Sequence, residues 1–201
     1  MSKFTVPTIP ADLDWQIPPL NWQLDSASTL TIAAGPKTDW FIDPNGSFRI
    51  GNAPNALFVT QDADFLLSAQ VTVDFAATYD AGVLRIHERD DVWAKLCFEY
   101  SPQGHPTIVS VVTRGFSDDC NSVQITGNTV YLRLARIGSA FAFHYSLDGR
   151  YWSLVRYFTL GTLQNPSFGF SCQSPTGQGC TAAFADIQYQ PRTLTDLRGG
   201  A

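Results

Sequence analysis

The chain has 201 residues, 18 acidic and 13 basic side chains and a formal net charge of −5. Hydrophobic residues at 44% suffice for a real core, while charged residues at 15% fall well below the usual ~25%. This balance excludes a disordered chain, a coiled coil and a nucleic-acid binder that relies on bulk positive charge, and a pI near 5.0 disfavours unspecific binding to anionic membranes.

Glu occurs only at 88 and 99 and Lys only three times, against sixteen Asp, so the good helix formers are scarce. Period-2 alternation recurs instead. In chain order, an irregular segment over 1–20 is followed by strand-like stretches at Thr29–Ala33, Trp40–Ile42, Phe48–Ile50 and Leu57–Thr60. Phe65, Leu67, Ala69, Val71, Val73 and Phe75 then alternate with mostly polar neighbours. Val83–Arg89, Val92–Tyr100, Thr107–Arg114, Val123–Thr126 and Val130–Ile137 continue the pattern. Ala140–Ser146, Ser153–Thr159, Ser167–Cys172 and Thr181–Tyr189 complete it, before a tail over 191–201.

Reversals are expected at Arg89–Asp91, Pro102–Pro106, Gly127-Asn128 and Asp148-Gly149, the last as a type I′ hairpin turn. Many short strands with tight turns predict an all-β, antiparallel sandwich or jelly roll. No repeat, charge block or low-complexity linker divides the chain, so a single domain over 1–201 is expected. No apolar run approaches the ~20 residues of a membrane span, and no apolar signal core precedes Pro7 and Pro10, which points to a cytoplasmic location.

Strand parity sorts side chains onto faces. Leu84 and Ile86 oppose Val83, Arg85 and His87; Ala94, Leu96, Phe98 and Tyr100 oppose Trp93, Lys95, Cys97 and Glu99. In Thr107–Arg114, Val109 and Val111 oppose Ile108, Ser110, Val112 and Arg114. If the three strands are neighbours, their mixed faces coincide and gather Arg85, His87, Trp93, Lys95, Glu99 and Arg114, with Arg133 and His144 as additions from later strands. Aromatic rings stack on the C–H faces of sugars and charged groups satisfy their hydroxyls, so this set suits a carbohydrate. Each member also has a plain structural role: Trp93 and Trp40 can cap a core edge, Glu99 can pair with an arginine, and His87 can be an ordinary hydrogen-bonded histidine.

Catalytic signatures are mostly missing. With two Glu in the chain, the paired-carboxylate strand motif of sandwich glycosidases is absent. No nucleophile elbow, phosphate loop, dinucleotide fingerprint or zinc-protease helix occurs, so no cofactor is expected. The histidines at 87, 105 and 144 lack metal spacing, and Asp118, Asp119 and Asn121 read as a solvated acidic turn sooner than a calcium site, so no metal is expected. Cys97, Cys120, Cys172 and Cys180 fit no zinc pattern; four thiols are the default, with a Cys172–Cys180 bridge across the Gly-rich loop as the alternative.

A series of stretches also resembles a known family. These are Thr38-Asp39-Trp40-Phe41, Tyr79-Asp80 with Ala81-Gly82, Trp93-Ala94-Lys95, Glu99, Val111-Val112-Thr113-Arg114, Ser117-Asp118, Tyr145–Gly149 with Trp152 and Arg156, and Phe184-Ala185-Asp186. Their order over roughly residues 15–190 resembles an uncharacterised family of concanavalin A-like sandwiches, a domain of unknown function that includes a fungal protein named for regulation of enolase. The resemblance implies a jelly roll of two antiparallel sheets with a concave ligand face. It places Trp40, Trp93, Lys95, Glu99, Arg114 and Asp118 at the family's recurrent polar positions. The chain departs where the family has a Trp after the Ser-Asp pair, here Asp119-Cys120, and where it has a Gln between the Tyr-Asp and Ala-Gly pairs.

The leading expectation is a protein that binds or processes a carbohydrate or other small polar ligand in the concave sheet. Trp40 and Trp93 would stack on it, and Arg85, His87, Lys95, Glu99, Arg114 and Asp118 would contact it. One alternative is a glycoside hydrolase or lyase using Glu99 with Asp118 or His87. The other is a protein-interaction module without catalysis. Nucleic acid and membrane are not expected partners, and a homodimer through sheet edges is an open option.

Overall fold

The computed structural model describes residues 3–201. Fourteen strands make two seven-stranded antiparallel sheets packed face to face. In spatial order the first holds β1 (Asp14–Ile17), β6 (Asn55–Val59), β15 (Ser167–Gln173), β8 (Ala81–Arg89), β9 (Val92–Tyr100), β10 (Pro106–Arg114) and β11 (Phe116–Gln124). The second holds β14 (Ser153–Thr159), β13 (Ala140–Ser146), β12 (Thr129–Ile137), β7 (Asp64–Asp74), β16 (Cys180–Gln190), β3 (Leu30–Ala34) and β2 (Asn21–Leu24). A short hairpin, β4 (Trp40–Ile42) with β5 (Arg49–Gly51), lies over the outside of the first sheet, where the Ile42 amide donates to Ser117 Oγ at 3.0 Å.

The core forms between the inner faces. Phe65, Leu67, Ala69, Val71 and Val73 of β7 are all buried, as their alternation requires, and meet Leu84, Ile86, Leu96, Phe98, Phe168 and Phe170 from the first sheet. The last two strands enter the middle of the two sheets, β15 between β6 and β8 and β16 between β7 and β3. Each sheet is therefore completed only when the end of the chain arrives, a non-local closure typical of jelly rolls.

Several expectations need correction. β1 lies inside the segment expected to be irregular, and β2 follows at once; both are too short for alternation to stand out. Phe116–Gln124 is one strand, so Asp118 and Asp119 are ladder residues and not a turn. Gly127-Asn128 joins β11 of the first sheet to β12 of the second, so it is a crossover between sheets and not a hairpin. At Asp148-Gly149 only Gly149 has a positive φ, of 73°; Asp148 instead accepts from the Arg150 and Tyr151 amides at 2.8 and 2.9 Å, a side-chain-capped loop in place of a type I′ turn. All four cysteines are free thiols; Cys172 Sγ donates to the Cys180 carbonyl at 3.3 Å.

The register of β9 on β10 overturns one face assignment. Lys95 pairs with Val111 and Glu99 with Thr107, whereas Leu96 pairs with Ser110 and Ala94 with Val112. Hence Val109 and Val111 share the outer face with Lys95, and Ile108, Ser110, Val112 and Arg114 belong to the core side. Every residue of Thr107–Thr113 is buried, because the hairpin covers one face and the second sheet the other, so polarity carries no parity signal there.

Gly169 of β15 shows how closely the first sheet is drawn together: a Cβ there would stand 2.0 Å from the Ala56 carbonyl oxygen of β6. That obstacle is backbone and cannot rotate away. Gly169→Ala is expected to cost at least the ~3 kcal/mol upper end of ordinary overpacking, read as a fall in the urea midpoint.

Candidate functional site

The outer face of the first sheet is built from four rungs across β15, β8, β9, β10 and β11. One runs through His87, Trp93, Thr113 and Ser117, and the next through Arg85, Lys95, Val111 and Asp119. A third carries Val83, Cys97 and Val109, and the last Gln173, Ala81, Glu99 and Thr107.

The half nearest the first rung is filled. Trp93 and Arg85 are fully buried. The Arg85 guanidinium lies 4.0 Å from the Trp40 ring centroid and 4.9 Å from that of Trp93, held by cation–π attraction. Trp40 meets Trp93 and His87 edge-on at 6.2 and 5.4 Å, and its Nε1 donates to the Ala53 carbonyl at 2.9 Å. His87 Nδ1 lies 3.4 Å from Arg85 Nη2 and its Nε2 lies 2.8 Å from Gln16 Nε2, two donors that compete for the single acceptor nitrogen of a neutral ring. Burial, reinforced by the Arg85 charge, pushes the His87 pKa down to about 4, so the ring is neutral at pH 7 and free to accept. Trp40, Arg85, His87 and Trp93 are therefore packed on one another and leave no ring face for a sugar.

The other half is open. Beneath the hairpin lies a cavity of about 400 Å³, within the size range of small-molecule sites. Its floor carries Asp39, Lys95, Glu99, Asp119 and Gln173, and its lip Phe41, Phe48, Ile50 and Tyr79. Phe48 stacks on Phe41 at 5.8 Å yet stays 54% exposed, and Tyr79 is 39% exposed. Lys95 Nζ donates to Asp39 Oδ1 at 2.8 Å and to Gln173 Oε1 at 2.9 Å. Burial alone would depress the Lys95 pKa, but the Asp39 carboxylate overrides it and raises the value.

Glu99 has no hydrogen-bonded cation. Burial pushes its carboxyl up to about 8 and the negative Asp119 and Asp39 add to this, while Lys95 pulls the other way. Burial also raises the Asp119 pKa. The floor thus combines one ammonium, spent on Asp39, with a Glu99 that keeps its proton at pH 7.

Of the eight residues expected to bind, only Lys95 and Glu99 line this cavity. Arg114 sits exposed at the end of β10 on the core-side parity, away from it. Asp118 shares that parity and pairs with Arg156 Nη2 of β14 at 2.8 Å. Its neighbour Asp119 points into the cavity instead, because successive strand residues face opposite sides. Arg133 and His144 face each other on β12 and β13, on the outside of the second sheet, and cannot join the site. Sequence reasoning missed Asp39, Phe41, Phe48, Tyr79, Asp119 and Gln173 as lining residues. Asp39, Phe41 and Tyr79 lie within the stretches that carry the family resemblance, the one signal that could have found them.

Residues 15–192 match the family described as "Protein of unknown function (DUF1349)". The chain belongs to the DUF1349 family. No curated protein matches it in sequence. A crystal structure of a functionally unknown protein from Saccharomyces cerevisiae superposes with a TM-score of 0.82 at 22% identity, covering 90% of this chain and 97% of that one. The GH43 protein BlXynB from Bacillus licheniformis gives 0.70 at 15% identity over 89% of this chain, which spans only 37% of that protein. An alginate lyase from Klebsiella pneumoniae gives 0.55 at 13% identity, over 84% and 83% of the two chains. The DUF1349 chain shares a concanavalin A-like sandwich with these structures.

The Glu99 proton has a measurable consequence. The folded DUF1349 chain holds it up to about pH 8, whereas an unfolded chain releases it near the ordinary value of 4.5. Glu99 therefore favours folding most below pH 4.5, and this contribution is lost as the pH rises through about 8. Carboxyl ¹³C titration should place its midpoint far above that of an exposed Glu, and Glu99→Gln should flatten the decline of stability across this window.

Proposed function

We propose that this chain binds a neutral carbohydrate in the cavity between the β4–β5 hairpin and the Lys95–Glu99 floor. The observation that carries the reading is a polar floor, with Lys95, Glu99 and Gln173 buried, facing an aromatic lip across one cavity. Phe48 and Tyr79 offer ring surface to the C–H face of a sugar. Glu99, protonated, donates to one hydroxyl; Asp119 and Gln173 serve the others. Neutrality follows from charge: Lys95 is the one cation among the lining residues and is neutralised by Asp39, so a uronate would meet three carboxyl groups and no unpaired lining cation. The shared fold with BlXynB and the alginate lyase supports a saccharide over other small polar ligands.

A processing reading has one observation in its favour. Glu99 and Asp119 line the same cavity, and Glu99 keeps the proton that a general acid must deliver. Asp119 would then be the base. Asp118 is tied to Arg156 outside the cavity and His87 lies in the filled half, so neither suits that role.

Calorimetric titration with neutral gluco- and xylo-oligosaccharides tests both. Binding in the millimolar range or tighter is expected, weakened about tenfold or more by Phe48→Ala and by Glu99→Ala. No heat with any neutral saccharide, or affinity unchanged in both variants, overturns the assignment. Release of reducing ends that Asp119→Asn abolishes would move the protein from binding to catalysis.

A further inference from the structure

A second, oppositely charged recess lies on the far side of the molecule. β12 places Arg133 on the outer face of the second sheet, between Ser68 of β7 and His144 of β13. The residue is only 3% exposed. Its guanidinium lies 4.2 Å from the Trp152 ring centroid, and it forms no ion pair among the described residues. Two of its nitrogens, Nε and Nη2, are shut off from solvent and have no hydrogen-bond partner. These two share one edge of the guanidinium, the edge that grips both oxygens of a carboxylate.

No carboxylate among the described residues pairs with Arg133. His144 donates from Nε2 to the Leu197 carbonyl at 2.8 Å, and burial pushes its pKa down to about 4, so it is neutral. Arg192 lines the same recess of about 250 Å³, with Tyr131, Trp152 and Gln188. Its Nε donates to Gln190 Oε1 at 2.9 Å, which leaves its charge unopposed. Asp186 is the one acid among the lining residues; it accepts from Gln188 Nε2 at 3.0 Å and forms no ion pair with Arg133.

The C-terminal tail closes the recess. Leu194 and Leu197 pack on Leu66, Ala135 and Ala142, and Gly200, at φ 73°, comes so close that a Cβ there would stand 2.5 Å from both Arg133 Nη2 and Trp152 Cβ. A buried cation left without a partner is expensive, and the cost is relieved by an anion that brings its own oxygens.

We propose that this recess is a binding site for a small carboxylate-bearing ligand, whose carboxylate takes the Nε/Nη2 edge of Arg133 in place of the Gly200 end of the tail. Arg192 adds a second positive charge and Trp152 a ring face. The site is independent of the Glu99 cavity and of opposite charge preference.

Its test is titration at fixed ionic strength with sodium galacturonate and sodium acetate, and with galactose as the uncharged control, followed by the Trp152 indole N–H and the Arg133 Nε–H resonances. Saturable shifts with galacturonate and none with galactose are expected. If acetate reproduces them at equal affinity, the ligand is a simple organic acid; if galacturonate binds at least tenfold tighter, it is an acidic sugar. Either outcome supports the carboxylate site. Arg133→Gln should abolish the shifts. Arg133→Lys, which keeps the charge and loses the two-pronged edge, should weaken binding at least tenfold and serves if the Gln variant does not fold. Gly200→Ala, which crowds the tail off Arg133, should tighten it. Glu99→Ala should leave it unchanged, so failure here is separable from failure of the sugar cavity. Absence of saturable shifts in both the parent and the Gly200→Ala chain, or shifts retained in Arg133→Lys at parent affinity, overturns the proposal.

Discussion

The pairing of β8 with β9 sets Arg85 directly beside Lys95 on the outer face of the first sheet. Neighbouring strands are about 4.8 Å apart, so two cations under cover of a hairpin repel strongly unless each is screened. The two side chains are handled as their chemistry demands. The flat, weakly hydrated guanidinium is clasped by the indoles of Trp40 and Trp93, and the compact ammonium takes a carboxylate and an amide oxygen. The carboxylate belongs to Asp39, at the entry to β4, so neutralising Lys95 also pins the hairpin over the sheet. The hairpin in turn brings Phe41, Phe48 and Ile50 to the edge of the space above Glu99. The cavity exists because the Lys95 partner reaches down from above rather than across from a neighbouring strand.

The same constraint explains what was legible in the sequence. Alternation in Val83–Arg89 and Val92–Tyr100 assigned Arg85, Lys95 and Glu99 to one face, and the ladders agree, because the inner face of those strands is uniformly apolar. Parity could not say which of the outer side chains would be covered. Trp93 and Trp40 carry the same signal whether they stack on a guest or on an arginine, and only the position of the hairpin decides between the two. β10 misleads for a related reason: with both faces buried and Thr or Ser on each, Arg114 at its end is the sole charged clue, and it lies beyond the covered stretch. β11 reads as acidic and polar because it is an edge strand, exposed along most of its length, so an Asp-Asp pair within it mimics a turn. The Asp119 side chain turns inward only because that strand exists.

Family resemblance and parity fail in different places. The ordered stretches locate Asp39, Phe41 and Tyr79 along the chain, on loops and the hairpin, where alternation is silent. Parity locates Lys95 and Glu99 on the sheet, where single short motifs are weak. Neither reaches Gln173, which enters the site because β15 inserts between β6 and β8, a long-range pairing that local pattern cannot reveal.

The two buried arginines are the sharpest contrast in the molecule. Both sit on outward-facing positions of central strands, both are stacked on tryptophan, and neither has a carboxylate partner. Arg85 is held between two indoles and beside a histidine that burial keeps neutral, so ring faces cover its guanidinium. Arg133 has one indole, a neutral histidine that spends its proton on Leu197, and an edge that donates to nothing. Burial, with Arg192 adding repulsion, pulls its pKa down to about 10, not far enough to discharge it at neutral pH. A charge that persists without a partner is unstable unless something else meets it. Beside the Trp152 ring, the cover is the Gly200 stretch of the tail, which excludes water without contributing a hydrogen bond to that edge. Arg85 behaves as a completed packing unit, whereas Arg133 retains unused binding capacity.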